Sequence, residues 1–215
     1  MLIGSVGALY QVRFKRMLGY SAIANLGYVL LGFCSGSAFG CFSAFYYFFV
    51  YIILSLNIFS ILVIIRRYPS NAKLCNLSEV VSITHSNFLL SLLLVFCLLS
   101  LAGIPPLIGF FGKFFVFMSL IFSGHYFLAL YGALFSVLTC VYYIRLIRFI
   151  LFEKPEKLPV YYLLPISNIQ AYFVVFISIL NIFFFFFQGP LLYFLYDSFI
   201  YVYFDGILDI YVWGA

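Results

Sequence analysis

Charge is what this sequence has least of. Only 8% of its 215 residues are Asp, Glu, Lys or Arg, with six acids against eleven Lys and Arg. Soluble domains carry roughly 25% charged residues, so there is too little polar surface here to coat a globule in water. That excludes a soluble enzyme, a secreted disulfide scaffold and a nucleic-acid-binding domain. Cysteine is sparse as well. Cys34, Cys41, Cys75, Cys97 and Cys140 show no C-x-x-C spacing, and four lie in apolar stretches. They read as small buried hydrophobes rather than metal ligands or disulfides, and no metal site is expected. A Gly-rich phosphate loop is also missing, so the chain itself is expected to bind no nucleotide cofactor. Met1-Leu2-Ile3-Gly4 lacks a basic n-region and an Arg-rich presequence, so no cleavable targeting segment is expected.

What is there is apolar: 67% hydrophobic and 23% aromatic residues, with thirty Phe and nineteen Tyr. The expectation is an all-α polytopic membrane protein. The Phe and Tyr bias goes beyond what packing needs and accompanies AT-rich genomes, as in many organelles. A span needs about 20 apolar residues. Stretches of that kind occur near 17–38, 42–65, 88–122, 126–147 and 171–187, giving about five transmembrane helices in a single bundle over 1–187. Residues 1–10 are apolar but short and read as the end of an incomplete helix. The tail, 188–215, opens with Gly189-Pro190 and mixes aromatics with Asp197, Asp205 and Asp209, which suits an interfacial segment.

The 88–122 stretch is too long for one straight helix and is interrupted by Gly103-Ile104-Pro105-Pro106. Basic residues decide how it crosses. They cluster at Arg13, Lys15 and Arg16, at Arg66, Arg67 and Lys73, and at Arg145, Arg148, Lys154 and Lys157. One crossing broken near its middle puts all three clusters on one face, as the positive-inside rule requires; two crossings would split them. The prolines leave carbonyls one turn back without their usual N–H partners. Such groups persist in lipid only inside protein or beside water, and discontinuous midplane helices are a recurring device for ion sites.

Lys113 follows Pro106 by two turns, roughly 10 Å, and so lies well inside the bilayer at a cost of about 2.5–3.5 kcal/mol. Gly109 and Gly112 thin the helix one turn before it, leaving room for another helix or a file of water. Snorkelling is difficult from that depth, and no span holds an acid to pair with it. The favoured reading is a lysine facing the protein interior that gains and loses a proton. Residues able to hold water beside it form stripes: Ser21, Asn25, Tyr28 and Gly32; Asn57 and Ser60; Ser136, Thr139 and Tyr143; Ser178 and Asn181. Each stripe alone is more simply helix–helix adhesion. Lys15 and Arg16 are topology anchors or the mouth of an entry path, and His85 and His125, at span ends, read as inert.

Two stretches carry a resemblance. Lys15-Arg16-Met17-Leu18-Gly19-Tyr20-Ser21-Ala22-Ile23-Ala24-Asn25-Leu26-Gly27-Tyr28 resembles the K-R-x-L-A-Y-S-S-I-x-H-x-G-Y signature of the antiporter-like subunits of respiratory complex I. Leu98 through Phe114, which includes Gly103-Ile104-Pro105-Pro106 and Gly112-Lys113, closely resembles the broken-helix motif of NADH dehydrogenase subunit 2 of that family. The resemblance implies a fourteen-helix fold of which this chain holds the C-terminal part, the tenth to fourteenth helices. Asn25 stands where a histidine is common, and the family's titratable residues on earlier helices have no counterpart here.

By that resemblance the chain works in redox-driven proton pumping by NADH:ubiquinone oxidoreductase, with Lys113 as the proton-transfer residue. It would carry no redox centre itself; NADH, FMN, iron–sulfur clusters and ubiquinone would belong to other subunits. Implied partners are an N-terminal fragment of the same split subunit, other membrane-arm subunits and the lipid bilayer, with no nucleic acid. The implied location is the mitochondrial inner membrane, basic loops on the matrix side. A Mrp-type cation/proton antiporter or a membrane-bound hydrogenase subunit shares the motif and is the alternative; a purely structural spacer is a third reading, against which the costly Lys113 argues.

Overall fold

The computed structural model describes residues 1–64, 87–105, 107–152 and 168–186, with 189, 192 and 193. The expectations for Arg66, Arg67, Lys73, Cys75, His85, Pro106, Lys154 and Lys157 lie outside the described residues, as does nearly all of the 188–215 tail. Within them the chain is all-helical: α1 Leu2–Leu9, α2 Phe14–Cys34, α3 Ala38–Ile64, α4 Phe88–Ala102, α5 Ile108–Phe122, α6 Tyr126–Leu151 and α7 Asn168–Phe186. Three of these, α2, α3 and α6, are each long and apolar enough to cross a membrane. The helix bounds shift from the apolar stretches seen in the sequence: α2 ends at Cys34, short of the expected 38, because a turn over Ser35–Ser37 lets α3 begin at Ala38 instead of 42, while other ends run further. α2 starts at Phe14 and α6 runs to Leu151, because a helix goes on past the hydrocarbon while Lys15, Arg16, Arg145 and Arg148 carry their charges outward on long stems.

The two 15-residue helices α4 and α5 lie in series and not side by side. Asn87 and Leu90, at the start of α4, border the same cleft as Ile64, the last residue of α3. Ser100 and Leu101, at its end, share a small cavity with Val50, Tyr51 and Leu54. Past the break, Gly112 abuts the Tyr47 ring, Phe115 stacks edge-on against Tyr46 with centroids 5.3 Å apart, Ser119 bonds Ser43 and Phe122 meets Phe39. The partners on α3 thus climb steadily from its last residue to its first turn as the chain runs from 87 to 122. A hairpin would have doubled back; this is one crossing in two pieces, antiparallel to α3.

α6 runs antiparallel to α2: Gly132 lies against Leu31, and Tyr143 meets Asn25. α7 runs antiparallel to α3, with Asn57 bonded to Ser178 and Phe49 against Phe184. Arg13, Lys15 and Arg16 therefore share an end of the bundle with Arg145 and Arg148, and Arg145 Nη1 donates to the Leu9 carbonyl at 3.0 Å, closing the end of α1. His125 is at the other end. All five of these basic residues are exposed.

Glycines set how closely the pieces approach. A Cβ on Gly109 would run into the Ser100 carbonyl, and one on Gly32 would come within 2.8 Å of the Ala44 Cβ. Because backbone cannot move aside as a side chain tip can, Gly109→Ala is expected to push the two half-helices apart at a cost of about 1–3 kcal/mol. A lower midpoint for heat-induced loss of the folded chain in detergent checks this; an unchanged midpoint would show the contact to be soft.

Candidate functional site

The break exposes the last four carbonyls of α4, those of residues 99 to 102, which no helical N–H can reach. Two are closed locally. Gly103 takes the left-handed conformation (φ 85°), its N–H donating to the Leu99 and Ser100 carbonyls at 3.2 and 3.0 Å; Ile104 N–H reaches back to Leu99 at 3.4 Å. This is a Schellman closure, and glycine suits it because other residues are strained there. A Cβ on Gly103 would also stand 3.1 Å from Lys113 Cδ.

The other two carbonyls, of Leu101 and Ala102, both accept from Lys113 Nζ at 3.0 Å. They lie four residues before Pro105 and Pro106, so they are the groups the prolines leave without a donor. Lys113 is only 5% exposed. Its ammonium sits at the negative end of the α4 dipole and 5.3 Å from the centroid of the Tyr28 ring, whose face also attracts a cation. No Asp or Glu occurs among the described residues, so backbone carbonyls and a π face do the work of a counter-ion. On the far side of the break, the Gly109 N–H at the start of α5 donates to Ser100 Oγ at 3.2 Å.

Beside the lysine, side chains from α2, α3 and α6 converge. Tyr47 donates to Asn25 Oδ1 at 3.0 Å and Asn25 Nδ2 donates to the Tyr143 hydroxyl at 3.4 Å, with Ser21 beside Tyr143. Tyr28 donates to the Gly132 carbonyl at 3.4 Å, with Thr139 beside it. Asn25, Tyr28, Thr139 and Tyr143 are fully buried. Of the polar stripe residues, Ser21, Asn25, Tyr28, Thr139 and Tyr143 are thus brought together around Tyr28, whose ring faces Lys113.

Asn57 is not among them: it is turned to α7, exchanging hydrogen bonds with Ser178 at 3.2 and 3.4 Å. That pair borders a cleft of about 280 Å³ which reaches the break at Ser100 and Ile108. Ser136 and Asn181 bond carbonyls of their own helices. Pro105 is exposed, and Lys15 and Arg16 stand exposed in the first turn of α2. Reading the sequence did not single out Tyr47, Ser100 or the two carbonyls. The proline spacing pointed to the carbonyls; nothing distinguishes Tyr47 from the other eighteen tyrosines.

A membrane bundle with one crossing broken at a Gly-Ile-Pro-Pro turn, and a buried lysine closing that break, defines a class. A family profile described as "NADH:quinone oxidoreductase/Mrp antiporter, TM" matches residues 1–139, and the chain belongs to this family. It is 37% identical over 157 residues to NADH-quinone oxidoreductase subunit N of Pelagibacter ubique, a match covering 73% of this chain and 33% of that protein. It is 32% identical over 191 residues to NADH-ubiquinone oxidoreductase chain 2 of Marchantia polymorpha, covering 89% and 38%. Respiratory complex I from Thermus thermophilus with bound Aureothin contains a chain that superposes with TM-score 0.75 at 27% identity, covering 89% of this chain and 42% of that one. A chain of the Mrp complex from Dietzia shares the fold, with TM-score 0.73 at 19% identity. The chain spans roughly a third to two-fifths of the length of these relatives.

Removing the Tyr47 hydroxyl leaves Asn25 Oδ1 without its donor inside an apolar bundle. Tyr47→Phe is expected to cost about 0.6–1.7 kcal/mol, the range for hydrogen bonds between membrane helices. Unfolding of the purified protein with and without Asn25→Leu, as a double-mutant cycle, isolates that coupling.

Proposed function

We propose that this chain is the C-terminal part of a split subunit 2 of NADH:ubiquinone oxidoreductase and that Lys113 carries protons in redox-driven pumping. The observation that supports it most is the lysine itself, buried at mid-bundle where, among the described residues, two orphaned carbonyls and a ring face compensate its charge. The curated relatives are NADH-quinone and NADH-ubiquinone oxidoreductase subunits, which favours this reading over the antiporter one. An ammonium has three N–H donors and a neutral amine two, so Lys113 can keep both carbonyl bonds in either protonation state. What changes with the proton is the attraction to the helix terminus, not the scaffold.

On this reading the chain holds no redox centre. NADH, FMN, iron–sulfur clusters and ubiquinone act in other subunits, and a second chain supplies the earlier helices. The location is the mitochondrial inner membrane. The end carrying Arg13, Lys15, Arg16, Arg145 and Arg148 faces the matrix, and Ser21, Asn25, Tyr28, Thr139 and Tyr143 hold the water that reloads Lys113 from that side.

Lys113→Met keeps the length and apolar stem but removes the ionisable group. In the assembled, reconstituted enzyme it is expected to abolish or strongly reduce proton pumping driven by NADH oxidation, read as acidification of the vesicle lumen. Pumping at the wild-type ratio of protons to electrons, with assembly confirmed on a native gel, would exclude the lysine from the route.

A further inference from the structure

On the side of Lys113 away from the basic end, α5 carries a second buried polar group that the site described so far does not use. Ser119, fully buried, is hydrogen-bonded across to the fully buried Ser43 of α3 at 3.3 Å. From this pair, hydroxyls alternating with backbone groups continue to the end of the bundle. Ser43 donates to the Gly40 carbonyl at 2.8 Å, and the Gly40 N–H donates to Ser37 Oγ at 3.0 Å. Ser35 and Ser37 are 3.2 Å apart in the α2–α3 turn, and Ser123 bonds the Ser119 carbonyl at 2.9 Å one turn beyond it. Ser37 and Ser123 are partly exposed.

Among the described residues no hydrogen bond links Lys113 to Ser119 or Ser43: the Tyr28 and Tyr47 rings belong to the packing between them, and their hydroxyls are turned to the Gly132 carbonyl and to Asn25. Six residues of helix separate Lys113 from Ser119, about 9 Å of rise, and the gap is filled by one packed cluster containing Leu31, Ala44, Val116 and Leu120. Val116, Ala44 and Leu120 are completely buried. A proton passes only between groups within hydrogen-bonding distance, so this layer is a barrier unless water enters it. Apolar constrictions of that kind gate by wetting and drying.

Resting on the assignment of Lys113 as the proton carrier, we propose that Val116, Ala44, Leu31 and Leu120 form the outward gate and that the Ser119–Ser43 pair is the first outward acceptor. When the layer wets, Lys113 ammonium gives its proton to the adjacent water and becomes the neutral amine. Water spans the steps over the Gly40 backbone and the Ser119 carbonyl, which relay no proton, and each water and hydroxyl takes a proton on one side and releases one on the other. One proton leaves to bulk water at Ser37 and Ser123, and the amine is reprotonated from the basic side.

The test uses the assembled enzyme reconstituted in liposomes, with assembly checked on a native gel. Val116→Ser is expected to raise passive proton leak severalfold in the absence of NADH, read as faster decay of an imposed pH gradient, and adding Lys113→Met is expected to remove that extra leak. Ser43→Ala with Ser119→Ala is expected to lower the protons moved per electron without adding leak. An assembled Val116→Ser enzyme with wild-type leak, or a leak that survives Lys113→Met, overturns the gate. Wild-type pumping in the double serine variant overturns the acceptor role. Lys113→Met alone, which reports on the carrier, is scored separately, so failure of the gate and failure of the carrier are distinguishable.

Discussion

The structure turns on the two hydrogen bonds from Lys113 to the Leu101 and Ala102 carbonyls. An unsatisfied backbone group in a membrane costs several kcal/mol, and a charge without a partner is also expensive there. Here each liability answers the other: the break supplies acceptors for the lysine, and the lysine supplies donors for the break. Removing either partner leaves the other exposed to a medium that cannot solvate it. This explains the tight geometry around the turn. Gly103 must adopt a positive φ and leave room for the lysine stem, and Gly109 must admit the Ser100 carbonyl. α3 has to run unbroken along both halves, since it is the splint that keeps α4 and α5 in line.

Polarity elsewhere in the bundle is carried by residues that look apolar in bulk. Tyrosine counts toward the 67% hydrophobic fraction, yet Tyr28, Tyr47 and Tyr143 place hydroxyls beside Asn25, Thr139 and Ser21 at the centre of the protein. Their rings pack against neighbouring helices while their tips hydrogen-bond. A bundle can therefore stay apolar toward lipid and still hold a polar interior without a single carboxylate among its described residues.

Much of this was legible in the sequence because the membrane penalises exceptions. Lys113 stood out by its cost, the break by Pro105 and Pro106, and the single crossing by where the basic residues fall. The proline spacing even indicates which carbonyls lose their donors. That Lys113 would reach them was not legible, because it depends on how α5 leaves the turn, which Gly103 and the Ser100–Gly109 contact determine. Asn57 shows the same limit. Its own helix face says that it is buried, and only the packing of α7 on α3 says that it answers to Ser178 and not to the lysine. Tyr47 and the Ser43–Ser119 pair were invisible because hydroxyls are common in this chain and matter only where two helices bring them together.

Lys113 occupies the middle of a sequence of layers. Toward the basic end the polar cluster runs as far as Ser21, and below it Met17 and Phe14 are again fully buried. Toward the other end, Val116 and its neighbours separate the lysine from Ser119. Neither side offers Lys113 an unbroken row of hydroxyls to the solvent, so on the proposed reading net movement of a proton requires water on both sides and never on both at once. A positive Lys113 draws water into its surroundings and a neutral one does not, which couples wetting to the charge state. The six acids of the chain all fall outside the described residues. On the proposed reading, the described bundle supplies the carrier and its barriers, and the negative charge that shifts the carrier lies beyond the described helices.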